Sequence, residues 1–431
     1  MHRALKALRS GDWLTRERVM LVAVVVLIAS AAGFAFLVVT AHGDIDRQGR
    51  PLGTDFSNVY AAGTYVRGGN PQAPFDPPQQ YAREQALFGK ATPFYGWHYP
   101  PYFLFIAGAL AKMPYGLALT IWQAGTLLLY LLTIWAIVTT PSCRAVRGGY
   151  AWLLLALAYP AVLINIGHGQ NGFLTAALLG GALAALDRRP IVAGILIGLL
   201  VYKPQFGLMI PLALIAGGRW RAFAAAAATV AVFTLATTVA FGPQVWHAFA
   251  LSTAFSRSVV LEQGSTGWQK IQSVFSWARM WGAAVPLAYT LQGAVTIALA
   301  AGIIRLWRSA AAPAQKSASL CLAAILATPY SLDYDMMVLA PAVAFLAVDG
   351  LRRGFLPWEK TALAALWLAP LLTRSVAQAT LIPLGVPAML AAFVLTLRPA
   401  ERDRALALPA GSSTMSGSGP ARGHDIAAFE S

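Results

Sequence analysis

Charged residues are scarce in this chain: they make up 11% of its 431 residues, whereas 58% are hydrophobic. Soluble globular domains carry roughly 25% charged residues, so a water-soluble fold could not cover this much apolar surface. Apolar runs of membrane-spanning length recur from Val19 almost to Leu397. Because helices satisfy their backbone polar groups internally when they cross lipid, the sequence predicts an all-α polytopic membrane protein.

Acidic residues and cysteines are scarcer still. The chain has 17 Asp and Glu against 32 Lys and Arg, which gives a formal net charge of +15. The basic residues lie mostly in short loops between apolar runs, where they orient helices against an anionic leaflet. We therefore expect membrane lipids, and no nucleic acid, among the partners. Cys143 and Cys321 provide neither a disulfide framework nor a metal-ligand cluster, and no carboxylate cluster in the sequence demands a metal.

The distribution of charge predicts an orientation. Residues 1–18 are basic and are expected in the cytoplasm, and the apolar run of about 22 residues that follows is too long for a cleaved signal. Residues 41–100 carry five basic and five acidic residues, which is typical of an external loop. Placing each basic loop in the cytoplasm gives about twelve spans with both termini inside. They lie near 19–40, 116–139, 150–164, 171–186, 190–201, 204–217, 221–241, 284–306, 317–330, 335–349, 360–373 and 379–397.

The predicted transmembrane domain covers residues 19–400. It carries a second external loop at 243–283, rich in tryptophan, and is followed by a disordered cytoplasmic tail at 401–431. Several spans are shorter than the roughly 20 residues that a full crossing needs. We therefore expect the turns at 165–171 and 202–205 to lie below the membrane surface. Residues 101–113 are predicted as either a re-entrant segment or a short extra span.

No acidic residue falls in the middle of a predicted span, which argues against a proton-relay transporter. Eight acidic residues fall on the predicted outer side, and Asp55 is one of them. Two interpretations of Asp55 stay open. Either Thr54 or Asp55 caps a helix that runs through Tyr65, or Asp55 is a general base that deprotonates an acceptor hydroxyl.

Other polar residues cluster in the same outer turns. His98 and Tyr99 close the first loop, where an ordinary interfacial role is the alternative to a site role. His168, Gln170 and Asn171 lie between two apolar helices, where they either cap a turn or bind substrate. Lys203 either snorkels to the surface or holds a lipid phosphate. Asp333 belongs to a carboxylate pair at a helix mouth, and Arg257, Glu262, Lys270 and Arg279 are weaker candidates.

Short motifs in this order resemble glycosyltransferase family 87 over roughly residues 15–400. They are Gly53-Thr54-Asp55-Phe56-Ser57-Asn58-Val59-Tyr60, Gly68-Gly69-Asn70-Pro71, Tyr99-Pro100-Pro101, Gly169-Gln170-Asn171 and Lys203-Pro204. The type member of that family is a polyprenyl-phosphate-mannose-dependent mannosyltransferase that extends phosphatidylinositol mannosides. The chain also lacks any G-x-G-x-x-G motif after a strand, which marks nucleotide-binding domains.

The resemblance implies a GT-C fold with a long first external loop, in a bacterial inner membrane, and catalysis on the outer side. It implies inverting transfer of a hexose, mannose in the type member, from a polyprenyl-phosphate sugar to a lipid or glycan acceptor. The donor is a substrate, so no cofactor is expected. Asp55 falls on the family's catalytic aspartate. Lys203 is the expected partner of the leaving phosphate, with His168 or His98 as helper, and substrate contacts are expected from Tyr99, Gln170, Asn171, Asn58 and Asp333.

A lipid or polysaccharide transporter is the main alternative. It would account for the helices and the lysine, and the short pair at 190–201 and 204–217 supports it. It would not account for an acid-containing outer loop directly after the first helix. An oligosaccharide polymerase or ligase is a further alternative.

Overall fold

The computed structural model describes residues 2–139 and 149–398, and within them the regular structure is helical. Arg144, Arg147, Cys143 and the predicted tail at 401–431 lie outside the described residues. The first helices are α1 (His2–Ser10), α2 (Arg16–Val39), α3 (Phe56–Arg67), α4 (Pro77–Phe88), α5 (Leu104–Leu110) and α6 (Tyr115–Val138). They are followed by α7 (Ala151–Leu157), α8 (Pro160–His168), α9 (Gly172–Ala185), α10 (Pro190–Leu199), α11 (Ile210–Ala216) and α12 (Trp220–Phe241). The last are α13 (Gln244–Phe255), α14 (Val274–Met280), α15 (Val285–Arg308), α16 (Pro313–Leu326), α17 (Leu339–Arg353), α18 (Glu359–Thr380) and α19 (Gly385–Thr396).

The described residues contain six helices that are long and apolar enough to cross a membrane, or seven if the bent pair α7 and α8 counts as one span. The six are α2, α6, α12, α15, α18 and the segment Asp333–Arg353 that contains α17. The prediction of a polytopic helical protein is confirmed. Each of the twelve predicted spans overlaps a helix, or the bent pair α7 and α8 in the case of 150–164. Half of them are too short to cross a bilayer alone, so the number twelve stays a prediction.

The first long helix begins three residues earlier than predicted. It starts at Arg16, because the Thr15 hydroxyl accepts a hydrogen bond from the Arg18 backbone N–H at 3.4 Å and caps it. The loop at 41–100 contains two helices, α3 and α4.

The short helices meet in pairs at polar turns. The α8 helix ends at His168 with Gly169 in the left-handed conformation (φ +64°), and α9 starts at Gly172. A side chain at Gly169 would also collide with Phe56, so the turn requires glycine. Lys203 has extended φ (−129°) between the turns Leu200–Tyr202 and Pro204–Leu208, because Pro204 disfavours helical geometry in the residue before it.

The segment after the first loop returns to that same loop. Pro101–Leu110 is a short apolar helix, about half of a full span in length. Near its end, the Met113 carbonyl accepts from the Tyr60 hydroxyl at 2.8 Å and the Ala111 carbonyl accepts from Arg67 at 2.8 Å. The end of this short helix is therefore attached to the loop at 41–100. The choice between a re-entrant segment and a short extra span stays a prediction.

Basic residues gather at the helix ends that lie opposite these polar turns. Asp187, after α9, pairs with Arg219, before α12, at 2.5 Å, and Lys316 of α16 acts on both electrostatically. The Arg9 carbonyl accepts from the Trp358 N–H at 2.8 Å, which brings the basic amino terminus to the start of α18. Successive helices run alternately towards the polar turns and away from them. The basic residues therefore lie at one end of the set of helices, and the polar turns lie at the other.

The packing of α10 on α12 positions the turn that carries Lys203. Gly194 of α10 leaves no room for a side chain, because a Cβ there would overlap the Ala222 carbonyl and lie 2.6 Å from the Ala225 Cβ. We expect Gly194→Ala to lower the free energy of unfolding by about 1–3 kcal/mol through overpacking. Thermal unfolding of the purified protein in detergent measures the change.

Gly293 of α15 is the matched control, since a Cβ there meets nothing within 4 Å. Gly293→Ala should leave the midpoint temperature of thermal unfolding unchanged or raise it slightly, because alanine is the better helix former. Equal midpoints for the two variants would contradict the close α10–α12 packing.

Candidate active site

The polar turns surround one cavity of about 630 Å³. It lies between the first loop, the α8–α9 turn, the turn at Lys203, the loop after α13, the turn before α17, and α18. Eight of the nine predicted site residues line it: Asp55, Asn58, His98, Tyr99, His168, Gln170, Lys203 and Asp333. Asn171 does not line it; its side chain is buried beside the cavity without a hydrogen-bond partner among the described residues.

Asp55 precedes α3 but its side chain makes no capping hydrogen bond. Its Oδ2 instead accepts a hydrogen bond from Gln170 Nε2 at 2.7 Å. The Thr54 hydroxyl is also engaged elsewhere, with His168 Nδ1 at 2.7 Å. The capping interpretation is therefore wrong for both residues. Asp55 is half-buried at the cavity surface, and no described residue donates a hydrogen bond to its other oxygen.

Gln170 is held so that its amide N–H₂ faces Asp55. Its Oε1 accepts from the Tyr99 hydroxyl at 3.1 Å and from the Asn171 N–H at 3.2 Å. These two donors assign the amide orientation, since the oxygen has to face them. The Asp55 N–H donates to the His168 carbonyl at 3.0 Å, so the start of α3 is fixed to the end of α8.

Lys203 is paired with a carboxylate rather than free. Its ammonium lies 2.5 Å from Asp335 Oδ1, and both side chains are about 95% or more buried. Asp335 Oδ2 accepts from the Leu332 N–H at 3.0 Å, and the Tyr334 ring lies 5.2 Å from the ammonium. The expected phosphate lysine is thus largely neutralised within the protein, because a buried charge needs a partner.

Two cations near Asp333 have no such partner. The loop after α13 forms a β-bridge between Ile271 and Leu332, which places Lys270 beside Asp333. Gln272 accepts from the Thr373 hydroxyl at 2.7 Å, which brings Arg374 of α18 to the same place. Among the ion pairs of the described residues, neither Lys270 nor Arg374 takes part.

The part of the cavity beside Asp333 carries positive charge from Lys270 and Arg374. Burial, followed by the charge of Arg374, lowers the pKa of Lys270. Asp333 interacts electrostatically with His168, Arg374 and Lys270 but lies beyond ion-pair distance of the two cations. The sequence marks Lys270 only as a weak candidate, and it gives no sign of Arg374, which follows an apolar run and belongs to no motif.

His98 reaches the cavity as a neutral imidazole. Burial lowers its pKa to about 4, and the nearby charge of Asp55 opposes that shift only in part. Its Nδ1 lies 2.8 Å from the Ser256 hydroxyl. At neutral pH it can therefore form hydrogen bonds but cannot supply the positive charge that was expected of a helper for the leaving phosphate.

The described residues contain no group of three or more His, Cys, Asp or Glu side chains that could hold a metal ion. Among the described residues, the cavity offers one carboxylate oxygen without a donor at Asp55, another at Asp333, and cations that take part in no ion pair. That combination suits removal of a proton from one ligand and binding of an anionic group on another.

The family model for glycosyltransferase family 87 matches residues 97–329, which is just over half of the chain. The protein belongs to glycosyltransferase family 87. The matched segment contains His98, Tyr99, His168, Gln170 and Lys203, and it lies between Asp55 and Asp333 in the sequence. No curated protein and no solved structure matches the chain.

This family 87 glycosyltransferase has a second cavity of about 240 Å³ next to the first. His98, Gln205 and Tyr330 line both cavities and so form the partition between them. The second cavity is mostly apolar, with walls from Pro100, Pro204, Phe249 and Leu261. A ligand with a polar head and an apolar chain could extend from one cavity into the other.

The Lys203–Asp335 pair generates a prediction for this glycosyltransferase. We expect Lys203→Met or Asp335→Asn alone to destabilise the protein by about 3–5 kcal/mol, because each leaves an unpaired buried group. The double variant should lose less than the sum of the two. Thermal unfolding in detergent measures all three.

The double variant also separates the two roles of Lys203. If Lys203 only neutralises Asp335, a double variant that folds should keep most of the activity. Loss of activity in a double variant that folds normally would show that Lys203 or Asp335, which both line the cavity, also contacts substrate.

Proposed function

We propose that this protein transfers a hexose from a polyprenyl-phosphate sugar to a lipid or glycan acceptor, with inversion at the anomeric carbon and Asp55 as general base. The observation that carries the proposal is the state of Asp55. Its side chain faces a cavity with unpaired cations, is oriented by Gln170, and makes no capping contact. An aspartate with only a structural role in α3 would make that contact.

The reaction follows from this geometry. Gln170 holds Asp55 Oδ2, which leaves Oδ1 to accept the proton of the acceptor hydroxyl. As that proton moves, the hydroxyl oxygen attacks the anomeric carbon from the side opposite the phosphate, and a new C–O bond forms. The bond from the anomeric carbon to the phosphate oxygen breaks, and the lipid phosphate leaves with the electron pair.

The leaving phosphate needs positive charge. Arg50, Lys270 and Arg374 all line the cavity without a described carboxylate at ion-pair distance. We assign the phosphate to Lys270 and Arg374, because these two lie together beside Asp333. Arginine binds phosphate with paired N–H groups, and lysine adds a point charge. Lys203 stays a prediction as a phosphate contact: its bond to Asp335 leaves two ammonium hydrogens for a ligand oxygen.

The second cavity supports a lipid-linked donor. Its surface is mostly apolar, although Arg257 and three serine or threonine side chains also line it, and it adjoins the polar cavity at His98, Gln205 and Tyr330. We assign the first part of a polyprenyl chain to it. The sugar and phosphate would then lie in the larger cavity, while His98, Tyr99, His168 and Asn58 contact the sugar or the acceptor. Mannose is the hexose that we propose to test first.

We place the cavity on the external side of a bacterial inner membrane, in a GT-C arrangement with about twelve helices entering the membrane. The support is the segregation of charge: basic residues lie at the helix ends opposite the cavity, where the cytoplasmic leaflet attracts them. The short helices on either side of Lys203 also fit a transporter, but family membership favours transfer of a sugar over its transport.

The decisive substitution is Asp55→Asn. Asparagine keeps an oxygen that can accept from Gln170 but cannot take a proton, so we expect turnover to fall by about 100- to 10,000-fold with unchanged stability. Release of sugar from radiolabelled polyprenyl-phosphate mannose by purified protein, with endogenous lipid extract as acceptor, measures the loss.

Asp76 is the matched control because it is a capping aspartate in the same loop. Its Oδ1 accepts from the Gln79 N–H at 3.3 Å at the start of α4. Asp76→Ala should cost about 1 kcal/mol of stability and little turnover. A result in which Asp55→Asn behaves like Asp76→Ala would remove the general-base assignment.

Neutralising the cations tests the phosphate site. We expect Lys270→Gln and Arg374→Gln each to raise the KM for the lipid-linked donor by about 10- to 100-fold, because each removes a charged hydrogen bond to phosphate. Arg83→Gln is the control, since Arg83 stacks on Tyr65 at 4.4 Å and does not line the cavity. An unchanged donor KM in both cavity variants would move the phosphate to Lys203.

A further inference from the structure

Glu84 is a fully buried carboxylate that belongs to no motif and has no cation as partner among the described residues. It lies on α4, behind the cavity wall rather than in it. Its oxygens accept hydrogen bonds from the Tyr95 N–H at 3.0 Å and the Gly96 N–H at 3.1 Å. A buried carboxylate that is satisfied by backbone N–H groups orders the segment that provides them.

The ordered segment forms one side of the cavity. Phe94, Tyr95, His98 and Tyr99 all line it, and Tyr99 is the residue that orients Gln170 towards Asp55. Gly96 has a φ of +67°, so the chain turns at the residue that Glu84 binds. The wall therefore takes its shape at the contact with Glu84.

A second contact connects Glu84 to the helix that follows Asp55. Gln80, one turn earlier on α4, donates from Nε2 to Glu84 Oε1 at 3.2 Å and to the Asn58 carbonyl of α3 at 2.9 Å. Gln80 is also fully buried. Glu84 and Gln80 together thus join the wall at 94–99 to α3, and α3 begins directly after the proposed base.

We propose that Glu84 is a positioning residue: it sets the cavity wall at Phe94–Tyr99 relative to α3, so that Tyr99 and Gln170 hold Asp55 in place. The inference rests on the proposed function for its catalytic consequence. The carboxylate form is the one that accepts both N–H bonds, whereas a protonated carboxyl presents an O–H to one of them.

The ionisation of Glu84 falls near neutral pH. Burial raises its pKa to about 7, with a smaller contribution from the negative charge of Asp55, while the bonds from Tyr95, Gln80 and Gly96 oppose the rise. The segments packed against α4 carry a further set of titratable side chains: Tyr60, Tyr65, Arg67, Lys90 and His98. Since the accepting form is the carboxylate, the wall should loosen as pH falls through about 7.

Hydrogen–deuterium exchange of the full-length protein in detergent tests this directly. In the wild type, the amides of Tyr95 and Gly96 should be protected at pH 8 and less protected at pH 6, after correction for intrinsic exchange rates. Glu84→Gln should lose that protection at both pH values. Lys90→Gln, which removes a charge at an exposed position of the same loop, should behave as the wild type.

Turnover of polyprenyl-phosphate mannose provides the second measurement. We expect Glu84→Gln to lower kcat by about 10- to 100-fold, because small misplacements of catalytic groups have effects of that size. The decline of wild-type activity below pH 7 should be weaker in Glu84→Gln, since the variant has no carboxyl to protonate there.

The hydrogen–deuterium exchange and turnover measurements together decide whether Glu84 is a positioning residue. Unchanged protection of Tyr95 and Gly96 in Glu84→Gln overturns the inference whether or not the donor is turned over. Lost protection with unchanged kcat also overturns the positioning role. If wild type turns over no polyprenyl-phosphate sugar while protection changes as expected, the proposed function fails and the structural contact of Glu84 is supported.

Discussion

The hydrogen bond between Gln170 and Asp55 depends on a turn that no single helix could provide. The α8 and α9 helices are each shorter than a membrane span, so the backbone between them has to be satisfied by side chains within the protein. Trp122 donates to the Gly169 carbonyl at 3.1 Å and Gln123 to the Asn165 carbonyl at 3.1 Å. Satisfying this backbone also fixes Gln170 at the cavity surface, and with it the orientation of Asp55.

A second consequence follows from the scarcity of charge in the chain. In a protein with so few ionisable groups, the cavity gathers Asp55, Asp333, Lys203, Lys270 and Arg374 in one place. Lys203 is neutralised by Asp335, which stabilises the turn before α17. Lys270 and Arg374 are not neutralised in this way, because the loop after α13 and α18 bring them together from distant parts of the chain. The charge of Lys203 thus stabilises the fold, whereas the charges of Lys270 and Arg374 are available to a ligand.

The long first loop contributes more than Asp55. It provides Asp55 at the start of α3, the wall with Tyr99, and the buried pair Gln80 and Glu84 that joins them. Met113 and Ala111, which follow the short helix Pro101–Leu110, anchor the same loop through Tyr60 and Arg67. A loop attached at so many points is a rigid part of the site, which suits a catalyst that relies on fixed geometry.

The sequence by itself determined the helical membrane fold, the separation of basic residues from the polar turns, and eight of the residues around the cavity. Long apolar runs can only be helices in lipid, and polar residues between them are costly unless they line a site. Periodicity and composition could not show which side chain meets which. Whether Asp55 caps α3 or meets Gln170, and whether Lys203 is free or paired, depends on contacts between residues more than a hundred positions apart. Arg374 and Glu84 resemble ordinary surface residues in the sequence. Only the tertiary structure places Arg374 at the cavity and Glu84 behind the cavity wall. The reason is that burial depends on packing between helices and not on neighbours along the chain.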